Sequence, residues 1–398
     1  KATKINQDIE KNLTKQNTYN KHNSFFSFSS INKEFNEDKI TKKINNLHKN
    51  KIGLERINAK DHLILDTAVN DLNLNTNEKS KNNFSLSKNV IDEILSLKEN
   101  EILRYLVFRY KYEIFPLIKR IDNYPPYLQI EPSSICNYRC VFCFETDKTF
   151  TNKKNGFMGK MDKSLFKSII DQIEGNIEFI SLASRGEPLA NPDIPEMLEY
   201  CSNKFLNLKI NTNASLLDEK KIHAILAGGV KTLVFSADAA DEKLYSELRV
   251  NGNLKKVLKN IEKFQNIKEK KYSKNSIITR VSGVKFNDKQ NFDEMIKLWS
   301  GLVDQVAFVD YNPWENSYEK TSNDIKEPCS DLWRRMFIWW DGKINPCDVD
   351  YKSLLSVGNI KENNISNLWL SEEYKRYREE HLNSNRKKIK PCNSCTVV

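Results

Sequence analysis

Residues 127–144 read YLQIEPSSICNYRCVFCF, and this stretch decides how the rest of the chain is read. Tyr127 to Glu131 is a short apolar run that fits a buried strand. Directly behind it stand Cys136, Cys140 and Cys143. Thiolates are soft ligands, and three of them in one loop are the ligand type and crowding that iron–sulfur clusters use. A four-iron cube needs four ligands. Three local thiolates leave one iron open, and an open coordination position marks a catalytic centre rather than a structural one. A zinc knuckle or simply buried thiols are the other readings of this spacing.

Working outward, apolar runs alternate with helical periodicity. Asp162 opens a helix whose Leu165, Phe166, Ile169, Ile170 and Ile173 recur at helical spacing, and Gly175 stops it. Further strands are predicted over Ile177 to Ala183, Leu206 to Thr212, Lys231 to Ala237, Ile277 to Val284 and Val306 to Tyr311. Helices are predicted over Pro195 to Lys204, Asp218 to Ala227, Leu254 to Phe264 and Phe292 to Trp299. Six such βα units imply an α/β fold with a parallel sheet, a partial (β/α)6 barrel. Barrels of this kind place their chemistry at the carboxyl ends of the strands.

The cysteine spacing, with Phe142 directly before the last thiol, resembles the signature of the radical S-adenosylmethionine (radical SAM) enzymes. The resemblance implies that Cys136, Cys140 and Cys143 hold a [4Fe–4S] cluster with S-adenosyl-L-methionine on the open iron. In that family one electron from the cluster releases a 5'-deoxyadenosyl radical. Further cofactor contacts are implied at matching positions. Gly186, Glu187 and Pro188 follow strand two like the family's Gly-Glu motif, which implies a carboxylate and backbone carbonyls that accept from the ammonium of S-adenosylmethionine. Asn213 closes Asn-Thr-Asn after strand three, similar to the family's Thr-Asn-Gly with Ala214 in place of the glycine. Ser236 and Asp238 end strand four. Arg249 stands where relatives carry an arginine for the methionine carboxylate, with Arg280 on strand five as a competitor; a guanidinium fork suits that geometry.

Cys329, Cys347, Cys392 and Cys395 form a second group. Between them come a hairpin, Phe337 to Trp340 and Lys343 to Asn345 around Asp341-Gly342, then Gly358-Asn359-Ile360 and a helix around Ile365 to Tyr377. This order resembles the SPASM/twitch extension, which implies an auxiliary [4Fe–4S] cluster; a zinc ribbon is the rival reading. Four thiolates cover four irons, so the second cluster is read as an electron acceptor rather than a substrate ligand. The expected enzyme is a radical SAM oxidoreductase of dehydrogenase type, acting on a hydroxyl of a sugar, nucleotide sugar or aminocyclitol. Asp310, Tyr311, Trp314, Trp333, Arg334, Arg335, Asp348, Asp350 and Tyr351 are the residues expected to line its pocket. Alternatives are a sugar epimerase quenched by Cys201, a peptide-modifying maturase, and a non-catalytic zinc scaffold. Cys201 itself, one turn after Met197, reads as a small buried hydrophobe.

Four regions are expected: 1–84, 85–124, 125–316 and 317–398. The first is rich in Lys and Asn, with Gly53 as its one glycine and no proline, and reads as a disordered or loosely helical extension. The second reads as a helical lead-in, the third as the barrel, and the fourth as a small α+β auxiliary-cluster domain. The net charge of +10 over 398 residues is read as compositional bias, with docking of an acidic flavodoxin or ferredoxin as electron donor and no nucleic acid. Eight cysteines needed as thiolates point to the cytoplasm. No apolar stretch approaches 18 residues, so no membrane span is expected. The chain begins at Lys1 without methionine, which is compatible with removal of an upstream segment.

Overall fold

In the computed structural model, which describes residues 24–28 and 37–398, the apolar runs become one ten-stranded sheet. A four-residue strand, β1 (Ser24–Ser27), precedes the barrel. The barrel strands are β2 (Tyr127–Ile130), β3 (Phe179–Leu182), β4 (Asn207–Thr212), β5 (Thr232–Ser236), β6 (Ile278–Lys285) and β7 (Gln305–Asp310). They lie side by side in chain order, each parallel to the one before. Consecutive parallel strands need crossovers, and helices supply them. Asp162, Asp218, Asn253 and Asn291 cap four of these by accepting backbone N–H bonds. The sheet does not close on itself. β1 adds antiparallel to β7, and on the other side β8 (Arg335–Ile338) adds parallel to β2, followed by the antiparallel β9 (Lys343–Asn345) and β10 (Gly358–Asn359). The partial barrel is therefore the observed fold. The hairpin strands differ slightly from expectation: β8 starts two residues earlier, and Trp339 to Gly342 form the turn, where Gly342 takes φ 88°.

The strands have two unlike faces. Along β4, Leu208, Ile210 and Thr212 are buried while Asn207, Lys209 and Asn211 alternate with them. The apolar set packs under the helices, and Lys209 and Asn211 line a cavity inside the barrel. A period of two along the strand produces this division.

Of the two readings of 1–84, disordered or loosely helical, the helical one describes the segment from Glu37 onward; residues 1–23 and 29–36 lie outside the described residues. Helices α1 (Glu37–Lys49), α2 (His62–Asn73), α3 (Lys88–Leu95) and α4 (Glu99–Ile118) form a unit with its own apolar core. Ile40, Ile44 and Leu47 of α1 and Leu65, Ala68 and Leu72 of α2 are all buried. Low mean hydropathy concealed these stripes, because a short amphipathic helix spends three or four residues in seven on its apolar face and the rest on charge. Such helices are marginal alone and gain stability from packing. The partner is the amino end of the barrel: Tyr105 and Phe108 of α4 meet Phe179 at ring distances of 5.5 and 6.4 Å. α3 also reaches the barrel. Gln305 Nε2 donates to Asp92 at 2.5 Å, and Arg280 donates to Asn89. The helical unit thus covers the base of the barrel.

No helix among the described residues is long and apolar enough to cross a membrane.

Candidate active site

The loop after β2 carries Cys136, Cys140 and Cys143, and three contacts fix its path. Arg139–Cys140 pairs antiparallel with Arg249–Val250. The Cys143 N–H donates to the Cys140 carbonyl at 3.0 Å, and Arg139 Nη1 donates to the carbonyls of Cys136 and Tyr138 at 2.8 and 2.6 Å. Donors are aimed at the sulfurs as well. The Tyr138 N–H lies 3.4 Å from Cys136 Sγ, and Arg249 Nη1 lies 3.7 Å from Cys140 Sγ. Burial pushes the Cys136 thiol up to about 12 and Cys143 well above the ordinary value. A metal centre reverses that order by holding its thiols deprotonated. Three thiols, two of them with N–H donors on the sulfur, fit an iron–sulfur cluster, since such bonds are part of how clusters are held and tuned.

Strand ends supply the surroundings. Glu187 accepts from Thr212 Oγ1 (2.6 Å), the Asn213 N–H (2.8 Å) and the Leu189 N–H (3.1 Å). Burial raises its pKa. With three protein donors in place, this carboxylate ties the ends of β3 and β4 together. Asn213 in turn donates to Asn137 Oδ1 at 3.0 Å. Asp238 is buried at the end of β5, and its carboxylate pairs with Arg249 Nε at 2.5 Å. It holds the guanidinium between the cysteine loop and the Phe142 ring, 5.8 Å away.

One cavity of about 420 Å³ gathers most of the expected residues: Cys136, Cys140, Phe142, Cys143, Gly186, Glu187, Asn213, Ser236, Arg249 and Arg280 all line it. Asp310, Tyr311, Trp314, Arg335 and Asp348 line it too, whereas Trp333, Arg334, Asp350 and Tyr351, expected with them, do not. Pro188 does not; it starts the turn Pro188–Ala190 behind the wall. Asp238 does not either, lying beneath Arg249. Arg280 enters from the base rather than the mouth, where it donates to Gln305 Oε1 at 2.8 Å and to Asn89. Cys201 packs in the helical layer, away from the cavity, and burial pushes its thiol up to about 12.

Gly186 shows how tightly the two loops meet. A Cβ there would lie 2.4 Å from the Ser134 carbonyl carbon and 2.5 Å from the Ser133 oxygen, and the neighbouring Glu187 N–H donates to the Ile135 carbonyl at 3.1 Å. Gly186→Ala must therefore push the Glu187 loop off the cysteine loop. We expect S-adenosylmethionine cleavage to fall by about 100-fold, with secondary structure unchanged by circular dichroism.

Two features escaped sequence reading. Glu131 and Arg185, fully buried, form a bidentate pair with contacts of 2.6 and 2.7 Å. The Arg185 guanidinium also donates to the Tyr351 carbonyl at 2.9 Å and lies 4.1 Å from the Trp339 ring. Lys209 lines the cavity from within the barrel. Its signal was present in LNLKINT, where Asn, Lys and Asn alternate with apolar residues.

The second cysteine group is drawn together by the chain terminus. Arg386, buried, donates to the carbonyls of Glu327 (2.7 Å), Cys395 (2.9 Å) and Val397 (3.1 Å). The Val349 and Val397 N–H groups point at Cys347 Sγ and Cys395 Sγ, at 3.3 and 3.5 Å. Cys329, Cys347 and Cys395 share an apolar cluster with Trp314. Trp314 also packs in the cluster of Phe144, Tyr351 and Cys143, so one indole touches the surroundings of both thiol groups.

A model of the radical SAM superfamily matches residues 130–298, and a model of the SPASM iron–sulfur cluster-binding domain matches 329–396. A tungsten-containing aldehyde ferredoxin oxidoreductase cofactor-modifying protein from Pyrococcus furiosus is 26% identical over 302 residues, 63% of this chain and 83% of that protein. A GTP 3',8-cyclase from Clostridium botulinum is 26% identical over 215 residues, 52% of this chain and 64% of the cyclase. Among solved structures, Streptococcus suis SuiB bound to precursor peptide SuiA superposes with a TM-score of 0.51 at 18% identity, covering 85% of this chain and 87% of SuiB.

Proposed function

The chain belongs to the radical SAM superfamily and carries a C-terminal SPASM domain, and from that premise we propose that it oxidises a hydroxyl of a small carbohydrate-like substrate. A sugar, a nucleotide sugar or an aminocyclitol is the class intended. The two domains imply a [4Fe–4S] cluster with S-adenosylmethionine and an auxiliary iron–sulfur cluster. When bound, these groups supply a 5'-deoxyadenosyl radical to remove a carbon-bound hydrogen and a one-electron acceptor for what remains. Cys136, Cys140 and Cys143 would hold the first cluster, and Cys329, Cys347, Cys392 and Cys395 the second. Arg249, oriented by Asp238, would receive the methionine carboxylate. Glu187 and Asn213 hold the adjoining loops in register, and Phe142 and Ser236 form the wall beside them.

The observation that carries this reading is the chemistry of the cavity beside the cysteine loop. It begins at the cysteine loop and continues into the barrel past Gln129, Ser181, Asn211 and Ser282, amides and hydroxyls suited to a hydroxylated ligand. A second support is the complete set of four terminal thiols, which leaves no iron for the substrate. Epimerisation with Cys201 as hydrogen donor is disfavoured because that thiol does not line the cavity. We extend the proposal to residues 125–316 as the catalytic unit and 317–398 as the acceptor unit. Eight free thiols fit a reducing compartment, the cytoplasm, with a flavodoxin or ferredoxin as electron donor.

The test is anaerobic turnover of the reduced, reconstituted protein with candidate sugars deuterated at the carbinol carbon. Deuterium in 5'-deoxyadenosine, formed in equal amount with a carbonyl product, is the expected result. Deuterium transfer with a redox-neutral product would overturn the oxidation.

A further inference from the structure

Below the level of Glu187 and Arg249 the cavity continues to the base of the barrel, where its walls turn cationic. Lys209 on β4, Arg280 on β6 and Arg335 on β8 all line it there. Gln129, Ser181 and Lys209 stand opposite one another on adjacent strands, so they form one level of the interior wall.

Arg280 donates to the side-chain amides of Gln305 and Asn89 and stands near the carboxylates of Glu93 and Asp92. Arg335 donates to the Tyr112 hydroxyl and lies 3.6 Å from Asp331, a carboxylate it shares with Arg334. The charged groups that weigh on Lys209 are Arg280, Arg335, Glu93 of α3 and Arg109 of α4. Glu93, the one carboxylate among them, already receives the Tyr105 hydroxyl and lies 3.7 Å from Arg109. Among the described residues no hydrogen bond or ion pair engages the Lys209 ammonium. Burial, with Arg280 and Arg335 adding to it, pushes the pKa of this lysine down to about 7. An ammonium buried without an acceptor is costly, and the cost falls when an anion arrives.

We propose that the base of this cavity is a receptor for a phosphoryl group of the substrate, with Lys209 as its principal ligand and Arg280 and Arg335 beside it. Three cationic side chains lining one end of the cavity, with the Lys209 ammonium lacking an acceptor, suit a ligand that carries more than one negative charge. A phosphoryl group supplies that at one atom, with oxygens for both ammonium and guanidinium donors. The proposal rests on reading the cavity as the substrate site and narrows the substrate to a phosphorylated or nucleotide-linked molecule, bound phosphate-down with its reacting carbon toward the cysteine loop.

Anion binding can be measured without turnover. Titration of full-length protein, purified anaerobically, with inorganic phosphate and separately with malonate by calorimetry tests the site. Phosphate should bind the wild type and bind Lys209→Met about 10- to 100-fold more weakly, with Lys209→Arg retaining most of the affinity. Without anion, Lys209→Met should melt at a higher temperature than wild type, because it removes a half-buried cation that has no acceptor, so loss of folding does not explain the result. Equal phosphate affinity in wild type and Lys209→Met, or binding of malonate but not phosphate, would overturn the proposal. Because no S-adenosylmethionine is cleaved in this assay, its failure leaves the oxidation reading standing, and failed turnover with sugars leaves phosphate binding standing.

Discussion

Replacing Cys136, Cys140 and Cys143 together by alanine will halve the iron of the reconstituted protein, from about eight to about four atoms per chain, and abolish release of 5'-deoxyadenosine. The size of the effect follows from the ligand sets. The three thiols sit in one loop, and no other cysteine lines their end of the cavity. Their loss removes the first centre entirely. The second group is positioned by different means, the buried Arg386 and the terminal backbone it binds, so its cluster should survive. Iron and sulfide analysis with electron paramagnetic resonance on anaerobic samples reads both halves of the expectation. Loss of all iron in the triple variant, with zinc at the terminal thiols, would remove the electron acceptor and turn the reading to redox-neutral radical chemistry.

Glu131→Gln is expected to destabilise the fold by about 3–5 kcal/mol, because it leaves the Arg185 guanidinium buried without its counter-charge. Arg185 is 3% exposed and Glu131 not at all, so water cannot take over the missing partner. The damage should spread beyond one bond. Glu131 also accepts the Trp340 N–H at 3.1 Å, and Arg185 also holds the Tyr351 carbonyl. Chemical denaturation reads the loss as a shift in midpoint at constant slope. Pairing Glu131→Gln with Arg185→Met should recover part of the stability, since an apolar replacement no longer needs a counter-charge. A change below about 1 kcal/mol in the single variant would place the pair among weakly coupled surface contacts.

Much of the barrel was legible because its signals are local. Apolar runs such as IEFISLA and KTLVFSA, each followed by a helical period and a capping Asp or Asn, depend only on neighbours in sequence. The cysteine loop and the Gly186-Glu187 turn carry their spacing within a few residues, and the structure brings them to one cavity. What escaped reading depends on distant partners. Arg280 meets Asn89 across 191 residues, and Gln305 meets Asp92 across 213. Helices α1 and α2 were hidden for the same reason, since their narrow apolar stripes make sense only against α4. Arg280 looked like a ligand for a carboxylate at the mouth because sequence gives the strand but not the depth along it.

The pairing of β8 with β2 has a further consequence. Arg335 to Ile338 lie in register with Tyr127 to Ile130, and the Glu131 N–H donates onward to the Ile338 carbonyl at 2.9 Å. The two domains matched in sequence are therefore successive staves of one sheet rather than beads on a string. Severing the chain between them would leave β2 on one fragment and β8 on the other with bare rows of N–H and C=O groups. Exposed strand edges of that kind recruit other chains. The two family matches end at residue 298 and resume at 329, but the sheet runs across both and offers no seam along which they can be taken apart.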